Sequence, residues 1–162
     1  MKSVEKEFIE IITQYQGIIH KVNFMYFRTK DDKDDNFQEI VYHLWRSFHS
    51  LKDKSKIGSW IYTVAINVSI SKIRKDSKYI VVDSMPELAH TDEIDWIEQK
   101  MNLQQLLEAI QYFNEVDKSI MLLYLEEFSY KEISEIIGVS ASNVGVKIHR
   151  MINKLQKQFK DK

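Results

Sequence analysis

Cysteine is absent, and with it go a disulfide framework and any thiolate metal site. Proline occurs once and glycine four times in 162 residues. Meanders of short strands need such residues at every turn, whereas helices need few, so the scarcity favours an all-α chain. No run approaches the ~18 apolar residues of a membrane span. The segment Met1 to Glu10 is charged and lacks the apolar core of a signal peptide. A cytoplasmic protein without membrane insertion is therefore expected. Hydrophobic residues still make up 44% of the chain, enough to bury a sizeable core.

Catalytic signatures are missing as well. There is no glycine-rich phosphate loop, no His-Glu-x-x-His, and no nucleophile beside an orienting base. The histidines His20, His43, His49, His90 and His149 are scattered. Glu39 and His43 stand four residues apart, as two metal ligands on a helix can, but no third ligand accompanies them. Neither enzymatic activity nor a cofactor or metal is expected.

What is present is an uneven charge distribution under a net charge of -1. Residues 1–75 carry 13 Lys/Arg against 9 Asp/Glu, and residues 76–98 carry one lysine against seven acids. Residues 139–162 carry six basic residues against one acid. Two basic segments around an acidic one suit a polyanionic partner.

Apolar residues recur at helical spacing through most of the chain. A first helix is expected over Glu5–Phe27 and a second over Asp35–Ser50, with Phe37, Ile40, Val41, Leu44, Trp45 and Phe48 facing inward. The run Lys30–Asp35 reads as a charged turn, and Leu51–Gly58 as a lysine-rich loop. Ser59 is the expected N-cap of a third helix, Trp60 to about Lys75, with Ile61, Val64, Ala65, Val68 and Ile73 as its stripe. Residues 76–98 hold the only proline, Pro86, and read as a linker. Four more helices follow, over Ile97–Phe113, Asn114–Glu127, Tyr130–Ile137 and Ala141–Lys160. The expected fold is all-α: two small helical bundles, 1–75 and 99–162, joined by a flexible acidic linker over 76–98.

The segment Ser129–Arg150 carries the clearest functional pattern. Ser129 and Glu132 have the spacing of a capping box, Gly138 falls where that helix must stop, and Ser140 can cap the next. Helix, three-residue turn and helix at this spacing make a helix-turn-helix. In the second helix Val144, Ile148, Met151 and Leu155 are spaced for a core, leaving Asn143, Lys147 and Arg150 outward, with Gly145, Val146 and His149 near them. Such a helix can read base edges in the major groove while later basic residues hold phosphates. Arg150 suits a guanine edge, Asn143 an adenine or a phosphate, and Lys154 and Lys157 the backbone. The plain alternative is a helical hairpin with a solvated basic face.

The segment Leu125-Glu-Glu-Phe-Ser-Tyr-Lys-Glu-Ile-Ser-Glu-Ile-Ile-Gly-Val-Ser140 resembles region 4 of sigma-70 family factors. Asp35-Asn-Phe-Gln-Glu-Ile-Val-Tyr-His-Leu-Trp45 is similar to region 2.2 of that family. Ser59-Trp-Ile-Tyr-Thr-Val-Ala-Ile-Asn67 with Ile73-Arg-Lys75 resembles its regions 2.3 and 2.4. Three motifs in order, with no space for region 1.1 or domain 3, resemble the compact extracytoplasmic-function group of bacterial RNA polymerase sigma factors.

The resemblance implies sigma region 2 over 1–75, sigma region 4 over 99–162, and two partners, RNA polymerase core and promoter DNA. Core would be bound through its clamp helices and flap, with Asp35, Gln38, Glu39 and Arg46 at the clamp-binding positions. Lys54, Ser55, Lys56, Asn67, Lys72, Arg74 and Lys75 fall at minus-10 positions. Asn67 lies near the pocket for the flipped base, and Lys54, Ser55 and Lys56 lie in that pocket's wall. Asn143, Val146, Lys147, His149, Arg150 and Lys154 fall on the minus-35 recognition helix. The group is often held by an anti-sigma factor, which is the third partner implied. The alternative is a stand-alone helix-turn-helix regulator of duplex DNA, which would need neither the Asp35 motif nor the Trp60–Asn67 segment.

Two departures stand out. Phe113-Asn114 replaces the family's usual Leu-Pro, and Gly145-Val146 replaces two polar reading positions, so readout there would rest on apolar contact or DNA shape.

Overall fold

The computed structural model describes residues 3–76 and 104–160, with side chains as far as Gln158. The chain divides into two compact units, Met1–Tyr79 and Ile80–Lys162. Every regular element among the described residues is helical, as expected.

The first unit consists of α1 (Val4–Tyr26), α2 (Lys30–Ser47) and α3 (Ile57–Lys75), with 3-10 turns at Phe48–Ser50 and Lys54–Lys56. Two helix starts differ from expectation. The charged run Lys30–Asp35 is not a turn but the opening of α2. Thr29 precedes it as N-cap, its hydroxyl accepting from Asp32 N–H, and Asp31 and Asp32 complement the positive end of the helix dipole. Helix α3 starts at Ile57 and not after Ser59. The turn Lys54–Lys56 leads directly into it, and burying Ile57 draws that residue into the first helical turn.

Ile19, Val22, Ile40, Leu44, Ile61, Ala65 and Ile66 are fully buried among the three helices. Between them lies a polar group. Asn36 of α2 donates to Asn23 Oδ1 of α1 at 2.7 Å and to Ser69 Oγ of α3 at 2.9 Å. Asn23 donates to the Lys33 carbonyl, and Ser69 donates to the Ala65 carbonyl. All three side chains are buried. A buried amide costs free energy where it is not hydrogen-bonded. Asn36 pairs its amino group, while its Oδ1 has no partner among the described residues, so helix rolls that keep the two donated bonds are favoured. This turns α3 relative to its expected stripe. Tyr62, Ile66 and Ser69 face inward, and Val64 and Val68 are only half-buried. Trp45, expected inside, is 41% exposed and meets Phe8 edge-on at 5.0 Å.

The second unit consists of α4 (104–110), α5 (Glu115–Leu125), α6 (Tyr130–Ile137) and α7 (Ala141–Lys160). The linker expected over 76–98 lies, apart from Asp76, outside the described residues, as do Leu103 and the start of the helix expected from Ile97. That helix ends at 110 instead of Phe113, and a turn brings in Asn114, whose side chain accepts from Asp117 N–H at 2.8 Å. Phe113-Asn114 thus lacks a proline but still supplies an N-cap for α5. The core gathers Ile110, Ile120, Leu123, Ile133, Val144, Ile148, Met151 and Leu155.

Replacing Asn36 by Ala strands Asn23 Oδ1 inside the first unit. The expected loss is about 1–3 kcal/mol of that unit's stability, read as a lowered urea midpoint in the circular dichroism of the full chain. An unchanged midpoint would show that the polar group does not hold the three helices in place.

Candidate nucleic-acid interface

The second unit's interface begins at the end of α5. That helix was expected to reach Glu127 but stops at Leu125. Phe128 N–H returns to the Leu123 carbonyl and Glu127 N–H to the Tyr124 carbonyl, closing a Schellman turn. Its left-handed position is held by Glu127, at φ 67°, where glycine is usual. Ser129 follows directly. Its hydroxyl accepts from Glu132 N–H at 3.1 Å, and the Glu132 carboxylate accepts from Ser129 N–H at 3.0 Å, completing the expected capping box. Gly138 ends α6 at φ 86°. Ser140 Oγ accepts from Asn143 N–H at 3.2 Å and so caps α7.

Helix α7 buries Val144, Ile148, Met151 and Leu155, as their spacing requires. On the opposite face Asn143, Val146, His149, Arg150 and Lys154 are exposed, with Val146 open at 46%. Two neighbours differ from expectation. Gly145 is half-buried, with Tyr130 of α6 packed beside it. A Cβ on Gly145 would come within 3.2 Å of the Tyr130 ring. Lys147, expected outward, is half-buried, and its Nζ lies 3.0 Å from Asp117 Oδ1 of α5.

In the first unit Asp35, Gln38, Glu39 and Arg46 are exposed on one stripe of α2. Between them stands Tyr42, 54% exposed, whose hydroxyl accepts from Arg46 while the guanidinium lies 5.7 Å from its ring centroid. Sequence reasoning missed Tyr42, although its four-residue spacing from Gln38 and Arg46 was the available signal.

Asn67, Arg74 and Lys75 are exposed along one face of α3. Lys72 lies on another side. It is half-buried, 4.0 Å from Glu39 and 5.9 Å from the Phe27 ring centroid. Lys54, Ser55 and Lys56 are exposed in the turn before α3, about 15 Å from Asn67 along the helix axis. Lys54 pairs with Glu7 of α1. Asp53 holds the turn by accepting from Ser55 N–H and Oγ, and these bonds keep its carboxyl below its usual pKa. Its contribution is therefore fully present above the ordinary carboxylate range and fades only as pH falls through the lowered value. Among the described residues no group of three or more His, Asp or Glu could hold a metal ion, and no helix is long and apolar enough to cross a membrane.

A helix-turn-helix with an open recognition face, together with a second helical unit bearing polar and basic surface stripes, defines a helical DNA-binding factor. Comparison with known proteins specifies it further. Residues 11–79 match the family model of sigma-70 region 2, and residues 103–155 match that of sigma-70 region 4. Together the two cover well over half of the chain. The chain is 25% identical to the ECF RNA polymerase sigma factor SigW of Bacillus subtilis, over 99% of this chain and 92% of that one. It is 24% identical to the RNA polymerase sigma factor SigV of the same organism, over 93% and 90%. Among solved structures, the sigma factor RpoE in complex with the anti-sigma factor NepR, from Bartonella quintana, matches with a TM-score of 0.70. That match has 20% identity and covers 96% of this chain and 98% of that one. The chain belongs to the sigma-70 family, in its extracytoplasmic-function group, and is an RNA polymerase sigma factor acting in promoter-directed transcription.

Glu127 and Gly138 hold the same left-handed conformation with opposite residue types, so exchanging them tests the turns flanking α6. Gly138→Ala should destabilise the second unit by about 1–2 kcal/mol, and Glu127→Gly should stabilise it by a similar or smaller amount. Thermal melts of the two variants should move in opposite directions. Shifts of the same sign would contradict this account of the turns.

Proposed function

We propose that the two units divide promoter recognition between them. Helix α7 enters the major groove of the minus-35 element, with Asn143, Val146, His149 and Arg150 toward the bases and Lys154 on a phosphate. The face of α3 that carries Asn67, with Arg74 and Lys75, meets the minus-10 strand as it opens. An unstacked base is read there by polar groups while cations hold its backbone. Lys54, Ser55 and Lys56 form part of the wall around that base, and Lys72, on another side of α3 beside Glu39, adds positive charge for the strand's backbone. Asp35, Gln38, Glu39 and Arg46 dock on the clamp helices of core polymerase, and the second unit reaches the flap.

The observation that carries this reading is the open outer face of α7. Val146 and Arg150 stand opposite a fully packed inner face, on a helix capped at its start by Ser140. Val146, apolar and exposed, suits a thymine methyl. The polymerase supplies the chemistry, and this chain supplies promoter choice and strand opening in the cytoplasm. An anti-sigma factor covering the polymerase-binding stripe would silence it.

Arg150→Ala should weaken binding to the minus-35 duplex by about 1–3 kcal/mol if it makes a bidentate base contact. Asn67→Ala should leave that binding intact and abolish permanganate reactivity near the start site. Identical defects in the two variants would overturn the division of labour.

A further inference from the structure

Lys147 lies one turn after Asn143 and one turn before Arg150, at the edge of the stripe they share, and its ammonium reaches sideways toward α5. With Ile148 pointing inward, Val146 and Arg150 project nearly opposite to it, and Lys147 lies on the flank, about 100° from Ile148. There its ammonium meets Asp117 at 3.0 Å, with both side chains roughly three-quarters buried. Asp117 is itself held. Its Oδ2 accepts from Asn114 Nδ2 at 3.1 Å, and its N–H donates to Asn114 Oδ1 at 2.8 Å. The acid therefore stands fixed on the first turn of α5, where the helix dipole favours its charge. On the other flank of α7, Gly145 lets the Tyr130 ring close onto the backbone. The recognition helix is thus gripped from both sides, by α6 through packing and by α5 through charge.

We infer that Lys147 is a positioning residue. Paired with Asp117, it sets the roll of α7 and thereby decides which side chains face the bases, and it makes no DNA contact of its own. This rests on the placement of α7 in the groove. At the side-chain radius of a helix, a roll of roughly 20° moves a tip by about 2 Å, more than a base-edge hydrogen bond tolerates. A lysine that reached for a phosphate would first have to abandon Asp117, so the pair also works against that contact.

The test is binding of reconstituted holoenzyme to a promoter duplex selected with the wild-type holoenzyme, at several salt concentrations. Single-base variants of the minus-35 element are measured in parallel. Asp117→Asn is decisive because it removes a negative charge near DNA, which by general electrostatics should tighten binding. The positioning role predicts the reverse: Asp117→Asn and Lys147→Met each weaken binding by roughly threefold or more and blunt base discrimination. Both should leave the salt slope unchanged, and the charge swap Asp117→Lys with Lys147→Asp should recover part of the affinity and discrimination lost in Lys147→Met. Recovery should fall short of wild type because Asp117→Lys loses the Asn114 bond and opposes the α5 dipole. Should Lys147→Met or the swap fail to fold, the sign of the Asp117→Asn effect still decides. Binding by Asp117→Asn as tight as wild type or tighter would overturn the inference. So would a Lys147→Met salt slope reduced by about 0.9, the signature of one lost phosphate contact. Unchanged discrimination in Arg150→Ala would instead overturn the placement of α7 in the groove, and the positioning role with it.

Discussion

Asn36 donates one amide hydrogen to α1 and the other to α3, and the outward faces of the first unit depend on that arrangement. A fully buried amide tolerates few rolls of the helix that carries it, because losing a partner costs about 1–3 kcal/mol. With Asn36 inward, Asp35, Gln38, Glu39 and Arg46 are left on the solvent side of α2. With Ser69 inward, Asn67, two residues earlier and about 200° around the helix, must face out. The outward stripes of α2 and α3, which we propose meet polymerase and the opened strand, are thus set by the two hydrogen bonds that Asn36 donates inside the unit. Apolar packing alone would allow the helices to slip or roll at lower cost, since hydrophobic burial is not directional.

The second unit fixes its recognition helix by different means. Its turns are made by the backbone: a Schellman turn through Glu127, a capping box at Ser129 and a left-handed stop at Gly138. These set the approach of α6 to α7. Contacts on the two flanks of α7, Tyr130 over Gly145 and Asp117 with Lys147, then constrain its rotation. Gly145 has thereby changed meaning. Its lack of a side chain serves close packing between helices, and Val146 beside it is the exposed apolar residue on the outer face of α7.

Legibility in the sequence followed range. Ser129 with Glu132, Gly138 and Ser140 act within one or two turns, so their spacing disclosed the helix-turn-helix and its boundaries. The inner face of α7 was equally plain, because Val144, Ile148, Met151 and Leu155 repeat at helical period over three turns. Other features depend on partners far away along the chain. Nothing in the sequence near Asn36 marks it as buried, because its partners Asn23 and Ser69 lie 13 and 33 positions away. Lys147 reads as a freely exposed lysine until Asp117, 30 positions away, is found beside it. Local signals also misled where two competed. The acids of Lys30–Asp35 suggested a turn, but Thr29 just before them made them the first turns of a helix. No glycine marked the end of α5, because a glutamate took the left-handed position.

The central claim is that one chain both engages core polymerase and selects the promoter. Transcription by purified core enzyme on a genomic template library, with and without the full chain, tests it most directly. The account predicts discrete promoter-dependent transcripts only when the chain is present, together with comigration of chain and core. Absence of such transcripts, with no comigration, would contradict it and leave a regulator that binds duplex DNA on its own.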